Sequence, residues 1–372
     1  MSGDHEAARR AYSLGLGPEA QGRVLDSCEL VAEPAQCYEL RSLPAEADRV
    51  YQTRAGESLR IARLEQARVY GMTFLPVTAD GKACAKRFVH NSNHVQKILY
   101  YAEGQETFPV ATDSALLGSF SGRDDFGAAV LIGNIDNIGH WLLNHLARLA
   151  LVEPMPELKE LPLVVGENIS ARQLECLERF GYPPSRLIRL RKGRLARFEV
   201  LWAPMMLYCA EGWSPAVLDF LRRGFGVTER RSGGRGRRLY LTRRNSRWRR
   251  LLNEDAIAGL LAQRGFEVAD PGGLSMADQV RLAAGAEAIV GIYGGAMTLM
   301  MFAPRGTQVI ELQYQRPDMN EVNVTPSFCH QLGQPYQVVL GIPRVSGANP
   351  LDYDFTLSPE LLERALDSAG IR

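Results

Sequence analysis

Two stretches of this 372-residue chain have residue types and spacing suited to holding an anion. Residues 222–250 carry about a dozen arginines against one acid, Glu229. A guanidinium fork grips phosphate through two parallel hydrogen bonds, so at least one of Arg243, Arg249 and Arg250 is a candidate for a diphosphate. The second stretch is the loop Gly291, Ile292, Tyr293, Gly294, Gly295, Ala296. It falls between an expected strand and an expected helix, where backbone N–H groups and the helix dipole favour negative charge. Glycines in that place also serve close packing, and the loop is not GxGxxG, so taken alone it leaves both roles open.

Two more residues have chemistry to offer. Glu311 closes an expected strand on the same edge of the sheet, where a carboxylate accepts hydrogen bonds from ribose hydroxyls; an ordinary strand-end charge is the alternative. His140 falls in the opening turn of an expected helix. An imidazole titrates near neutral pH and can serve as general base on a hydroxyl, while capping or packing is the usual role of such a residue. His145 lies five residues on, about 140° around the helix, which is poor placement for sharing a metal with His140. His90 and His94 are four apart but no third ligand is evident, so no metal site is expected.

The elements that position these groups follow from periodicity. Residues 1–125 are weakly patterned, with short strands expected at 67–70 and 71–76 and a hairpin turn at Asp80-Gly81. From Gly127 the texture changes to strand (128–133), helix (139–151), strand (161–165) and a helix opened by Ser170. A second alternating block runs through strand 239–242, a helix capped by Asn253, strand 266–269, a helix opened by Ser275 and Asp278, strand 288–291, the glycine loop, a helix, and strand 307–312. Strand–helix alternation of this kind predicts α/β architecture with a Rossmann-like parallel sheet. Residues 358–369 predict a terminal amphipathic helix.

Bulk properties exclude several classes. At 46% hydrophobic and 23% charged the chain is globular, and its length suits two domains. Residues 288–304 are uncharged for about the minimum length of a bilayer span. Gly291, Gly294 and Gly295 break the run, which suits a buried strand, turn and helix better. Six cysteines without a CxxC pair indicate neither structural zinc nor a disulfide framework, and fit a reducing compartment. The charged amino terminus lacks a secretory pattern, so a cytoplasmic location is expected. As a nucleic-acid surface, the basic segment has thin aromatic interleaving, with Tyr240 and Trp248 alone.

Three segments in register then carry a family resemblance: GHWLLNHLARL from Gly139, YLTRRNSRWRRLLNEDAI from Tyr240, and the stretch from Gly265 through GIYGGAMTL to VIEL at Leu312. Together, over 134–312, they resemble glycosyltransferase family 61. The resemblance implies a GT-B-like fold of two Rossmann-like domains facing across a cleft. It implies inverting, metal-independent transfer of a hexose or pentose from a nucleotide diphosphate donor to a saccharide or other hydroxyl acceptor, without a cofactor.

The family's His-Trp-Leu falls on His140, Trp141 and Leu142, its strand-end arginine on Arg243, its Arg-x-x-Asn-Glu on Arg250, Asn253 and Glu254, and its helix glutamine on Gln279. Two departures stand out. The common loop GxHGAGLTN has Tyr293 for histidine and Leu299 for asparagine here, and the acid often found four residues after His140 is Asn144. The resulting assignment makes His140 catalytic and gives the donor diphosphate to Arg243, Arg250, Gly294, Gly295 and Ala296. Tyr293 and Glu311 take the nucleoside, and Asn253, Glu254 and Gln279 support them. The expected domains are 1–205 on the acceptor side, 206–341 for the nucleotide sugar, and 342–372 with its helix packing back on the amino-terminal domain. The partners are a nucleotide sugar and an acceptor, with no nucleic acid, no transmembrane segment, and peripheral membrane contact left open. The alternative is a non-catalytic nucleic-acid or nucleotide/anion-binding protein built around 222–250.

Overall fold

The structure, a computed structural model, describes residues 122–191, 194–209, 215–227, 236–314, 324–345 and 352–372, the strand 58–70, and shorter pieces at 24–26, 49–52, 74, 76–79, 82–84, 107–109 and 212–213. The chain divides into two compact units, 36–210 with 214–224, and 1–35 with 211–213 and 225–372. Each is α/β around a mixed sheet. No helix among the described residues is long and apolar enough to cross a membrane.

The first unit is built on strands β1 (Arg49–Gln52), β2 (Ser58–Tyr70), β3 (Pro76–Val77), β4 (Lys82–Cys84), β5 (Thr107–Pro109), β6 (Gly122–Leu131), β7 (Leu163–Gly166), β8 (Leu187–Leu190) and β9 (Arg194–Pro204). Their order is β5-β4-β3-β2-β9-β6-β7-β8, with β1 on β2. The strands β9, β6, β7 and β8 run parallel, as alternation predicts, but β2 pairs antiparallel with β9 and an antiparallel meander continues from it. In β6 the first half alternates exposure while Ala129, Val130 and Leu131 are all buried, the change expected where a strand passes from a one-sided to a two-sided core. The hairpin expected around Asp80-Gly81 joins β3 and β4, Val77 opposite Ala83; residues 80 and 81 themselves lie outside the described residues, as do most of 71–76 and both His90 and His94. Ser170 opens helix α1 (Ala171–Arg179) with a full capping box, its Oγ accepting from Gln173 N while Gln173 Oε1 accepts from Ser170 N at 2.8 Å. Residues 214–224 belong here, not to the second unit as a boundary at 205/206 had them. The reason is the helix α2 (Pro215–Gly224), which buries Val217, Leu218, Phe220 and Leu221 and sets Phe220 4.7 Å from Phe180.

The second unit contains β10 (Arg237–Leu241), β11 (Phe266–Ala269), β12 (Ala286–Ile292), β13 (Gln308–Tyr314), β14 (Tyr336–Arg344) and β15 (Asp354–Thr356). The parallel strands stand in the order β14-β13-β12-β10-β11, with the strand Val24–Asp26 and β15 antiparallel on β14. Counted along the chain this is the doubly wound 2-1-3-4-5 order, whose direction of winding reverses between β10 and β12. Helix α3 (Glu254–Gln263) covers one face. On the other lie α4 (Met276–Ala284), opened by Ser275 Oγ on Asp278 N at 3.1 Å, a 3-10 helix α5 (Gly295–Phe302), and α6 (Val324–Gln331).

The terminal helix α7 (Pro359–Ser368) does not return to the amino-terminal domain. Leu361, Leu362, Ala365 and Leu366 sink into the same core as Ile257, Leu261, Val290 and Leu312. Arg264 Nη1 donates to Asp367 at 2.7 Å and to the Ile371 carbonyl at 2.9 Å, and Gln337 reaches Ser368. Leu361, Leu362, Ala365 and Leu366 form the apolar stripe of α7, which packs beside α3 in that core. Three consecutive links bind the tail to the start of α3: Arg250 to Asp354, a bridge between Leu251 and Phe355, and Asn253, which donates to the Leu357 carbonyl at 2.7 Å and accepts from its N–H at 3.0 Å. Asn253 thus acts as a clamp and makes no capping bond to α3. Replacing Asn253 by Ala removes both bonds and is expected to cost about 1–3 kcal/mol, seen as a lower melting temperature with unchanged secondary structure.

Candidate functional site

At the reversal point of the second sheet, Arg243 follows the end of β10 and Gly294 follows the end of β12, the edge where doubly wound sheets bind ligands. The guanidinium lies directly against the Gly294 backbone: a Cβ there would collide with Nη1 and stand 2.9 Å from Cζ. Gly294 also has φ +155°, which side chains rarely adopt. Burial and the neighbouring charge of Arg249 pull the Arg243 pKa down to about 10, so it remains a cation at neutral pH. Its Nη2 donates to the Trp248 carbonyl at 3.2 Å, while its Nε is buried and bonded to nothing, and no carboxylate among the described residues pairs with it.

Arg249 completes the corner. It adopts φ +58°, a strained state for a residue with a side chain, and its guanidinium sits 5.2 Å over the Tyr293 ring, with Nε buried and unbonded. Beside it, the first turn of α5 leaves the N–H groups of Gly295 and Ala296 without an acceptor in the helix. Two cations and two outward N–H groups therefore meet at one edge, which is a cradle for a polyanion.

Several neighbours hold this corner in place. Glu254 is buried and accepts from Tyr240 Oη at 2.9 Å and from Thr242 Oγ1, whose oxygen in turn accepts from Arg244 N at 3.1 Å. The strand end that launches Arg243 is thereby fixed from within. Gln279 donates to the carbonyls of Pro271 and Leu274, fixing the turn after β11. Asn245 bonds Asp270 at 2.8 Å across the same edge.

Two assigned residues are placed elsewhere. Arg250 is engaged by Asp354 through Nε, Nη2 and its own backbone N–H, so its fork already grips a carboxylate; Arg249, its neighbour, is the cation beside the loop. Glu311 is 0% exposed and accepts from Thr325 Oγ1 at 3.0 Å and Tyr336 Oη at 2.6 Å. Strand β13 runs on to Tyr314, beyond the expected end at 312, which leaves Glu311 in the core and not at the edge where a ribose would lie. Much of the basic segment is also balanced: Arg237 pairs with Glu267, Arg238 with Glu287 and Arg244 with Asp255. Residues 228–235 lie outside the described residues.

His140 belongs to the first unit. Asn137 is the N-cap, its Oδ1 accepting from Gly139 N at 2.9 Å and His140 N at 3.3 Å, so the capping role falls to asparagine and the imidazole is exposed. The single helix expected over 139–151 is instead an α turn, a π turn at Trp141–His145, a 3-10 turn at Leu146–Arg148 and a last α turn. π turns recur at functional sites because they swing side chains out of α-helical register. Trp141 and His145 stack at 5.8 Å, and His145 Nδ1 bonds the Ile132 carbonyl at 2.8 Å. Arg148 is 2% exposed with no carboxylate partner among the described residues; its Nε donates to the Asn144 carbonyl at 2.7 Å, and burial pulls its pKa down to about 9. The Asn144 side-chain oxygen is buried and unbonded.

Residues 138–310 match the family model described as Glycosyltransferase 61, a span that opens two residues before His140 and ends inside β13. No match was found among curated proteins.

Arg148 and Asn144 are linked by the bond from the guanidinium to the Asn144 carbonyl. A base with a depressed folded pKa holds its proton more tightly in the unfolded chain, so its full penalty stands below about pH 9 and lifts only as pH rises from there toward the ordinary guanidinium range. Asn144→Asp places a carboxylate one turn from the buried cation and is expected to add about 1–2 kcal/mol at pH 7, roughly 2–8 °C in melting temperature. Calorimetric scans of both proteins at pH 7 check this; an equal or lower midpoint in the variant would mean that Arg148 is already compensated.

Proposed function

With residues 138–310 assigned to glycosyltransferase family 61, a family of glycosyltransferases, we propose that the chain transfers a sugar from a nucleotide diphosphate donor to a saccharide or other hydroxyl acceptor. One observation carries the donor assignment: the Arg243 guanidinium, seated on the Gly294 backbone with no carboxylate partner among the described residues, waits at the edge where a doubly wound sheet receives phosphate. Arg243, Arg249 and the N–H groups of Gly295 and Ala296 take the diphosphate, and Tyr293 lies against the nucleoside. The two units serve as the halves of a GT-B fold, with His140 on the acceptor side.

In this scheme the acceptor oxygen attacks the anomeric carbon from the face opposite the diphosphate. The bond from that carbon to the phosphate oxygen breaks, and the configuration inverts. His140 takes the hydroxyl proton. Negative charge grows on the departing diphosphate, and the two arginines are already in place to meet it without reorganising, which is the larger contribution to rate. Proton transfer to a positioned base adds about 10²- to 10⁴-fold. The arginines neutralise the leaving group, so the step needs no metal or cofactor.

Arg243→Ala is expected to weaken donor binding by about 1.5–3 kcal/mol, roughly ten- to 150-fold, by calorimetric titration with a panel of nucleotide sugars. Its melting temperature should hold or rise, because the lost group is a half-buried cation with no carboxylate partner among the described residues. Unchanged affinity for every donor that binds the parent would remove Arg243 from the site.

His140→Ala separates chemistry from binding. Turnover is expected to fall about 10²-fold or more with donor affinity nearly unchanged and the acid limb of the pH–rate profile altered. A parental profile at parental kcat would retire the imidazole as base.

A further inference from the structure

Gln313 lies at the carboxyl edge of β13, 1% exposed, with both its amide nitrogen and its amide oxygen buried and bonded to nothing. Other buried amides of this unit keep at least one bond: Gln279, Gln334 and Gln337 each donate through Nε2. An amide sealed from water without partners is costly against a bonded one, and an apolar side chain of the same size would avoid that cost. A buried group left unsatisfied in this way calls for a ligand, an ion or a water.

Register identifies its neighbours. Leu241 pairs with Gly291 and Gly291 with Glu311, and a Cβ on Gly291 would stand 3.2 Å from the Leu241 Cβ, so these positions share one face. Tyr293 N–H extends the ladder to the Leu312 carbonyl at 2.9 Å. Two residues further on come Gln313 within β13, Tyr293 just past the end of β12 and in register with it, and Arg243 just past the end of β10, against Gly294. They form a row along the carboxyl edge, with about 5 Å between adjacent strands. The unpaired amide is thus two strands from the unpaired cation.

We propose that Gln313 reads the donor beyond its diphosphate. An amide donates and accepts side by side, so it matches a group that shows one acceptor and one N–H together: the edge of a nucleobase, or the acetamido group of an N-acetylated sugar. The half-buried Tyr293, between Gln313 and Arg243 in the row, turns aside to admit that group. A site built around a polar partner rejects analogues that lack it far more strongly than an apolar pocket rejects a change of size. Gln313 is therefore the specificity-determining residue of the second unit, an inference that rests on the donor site proposed above.

The full-length chain and its Gln313→Met and Gln313→Leu variants would be titrated with UDP, GDP, ADP, CDP, UDP-glucose and UDP-N-acetylglucosamine, and melted without ligand. Both variants are expected to melt at or above the parental temperature and to bind the preferred ligand about tenfold or more weakly, the scale of two lost hydrogen bonds. A loss already present with the bare nucleoside diphosphate assigns the amide to the base. A loss confined to the N-acetylated donor assigns it to the acetamido group. Equal affinities in parent and variants for every ligand that binds overturn the inference and leave the donor site standing. Melting several degrees lower in both variants also overturns it, since the amide would then serve the fold. A parent that binds none of these probes overturns the donor site and this inference with it.

Discussion

The guanidinium of Arg243 lies half-buried against a glycine backbone, its Nε sealed from water, and no described carboxylate balances it. Burying an arginine charge is costly, and proteins ordinarily offset it with an acid. Here the surrounding structure supports the exposed cost. Glu254 stiffens the strand end from behind, its Oε1 accepting from both Tyr240 and Thr242, and Arg249 adds a second positive charge where relief would require a negative one. Gly294 supplies the only kind of surface, a bare backbone, on which a flat guanidinium can lie this close. A corner arranged this way gains most from an incoming polyanion.

The same economy explains why the basic segment is not a uniform surface. Arg237, Arg238, Arg244 and Arg250 are each tied to an acid of their own unit, and exposed pairs of this kind contribute little to stability. What they do is remove four cations from competition. Among the described residues of 236–250, the residual charge is concentrated at Arg243 and Arg249, with Arg247 lying 4.5 Å over the exposed Trp248 ring at the rim. A flexible polyanion would meet one focus of charge and not a broad stripe.

How much of this was legible in the sequence depended on distance along the chain. Strand–helix alternation gave the parallel strands of both units, Ser170 and Ser275 marked helix starts that are capped as expected, and the position of Arg243 after an apolar strand placed it at the correct edge. Local signals sufficed for these. Arg250 and Arg249 could not be told apart, because the difference lies in Asp354, 104 residues away, and in a left-handed backbone at Arg249 that residue type does not announce. Glu311 was misplaced by two residues of strand length. The π turn at Trp141–His145 was invisible because all five of its residues, the polar Asn144 and His145 included, are buried, so no exposed face marks the change of pitch. Nothing in the pattern of residues 1–125 showed that β2 would run antiparallel beside β9.

The links from Arg250, Leu251 and Asn253 to the segment 354–357 give the arginine loop a debt to the end of the chain. During synthesis, domains fold as their residues emerge, amino-terminal parts first. The first unit closes on residues that are all made by position 224, but the link from Arg250 to Asp354 cannot form until residue 354 has been made. Until then the loop carrying Arg249 lacks its tether to the segment 354–357 and orients an anion less strictly. The order of translation therefore completes the arginine corner only after the segment 354–357 has emerged.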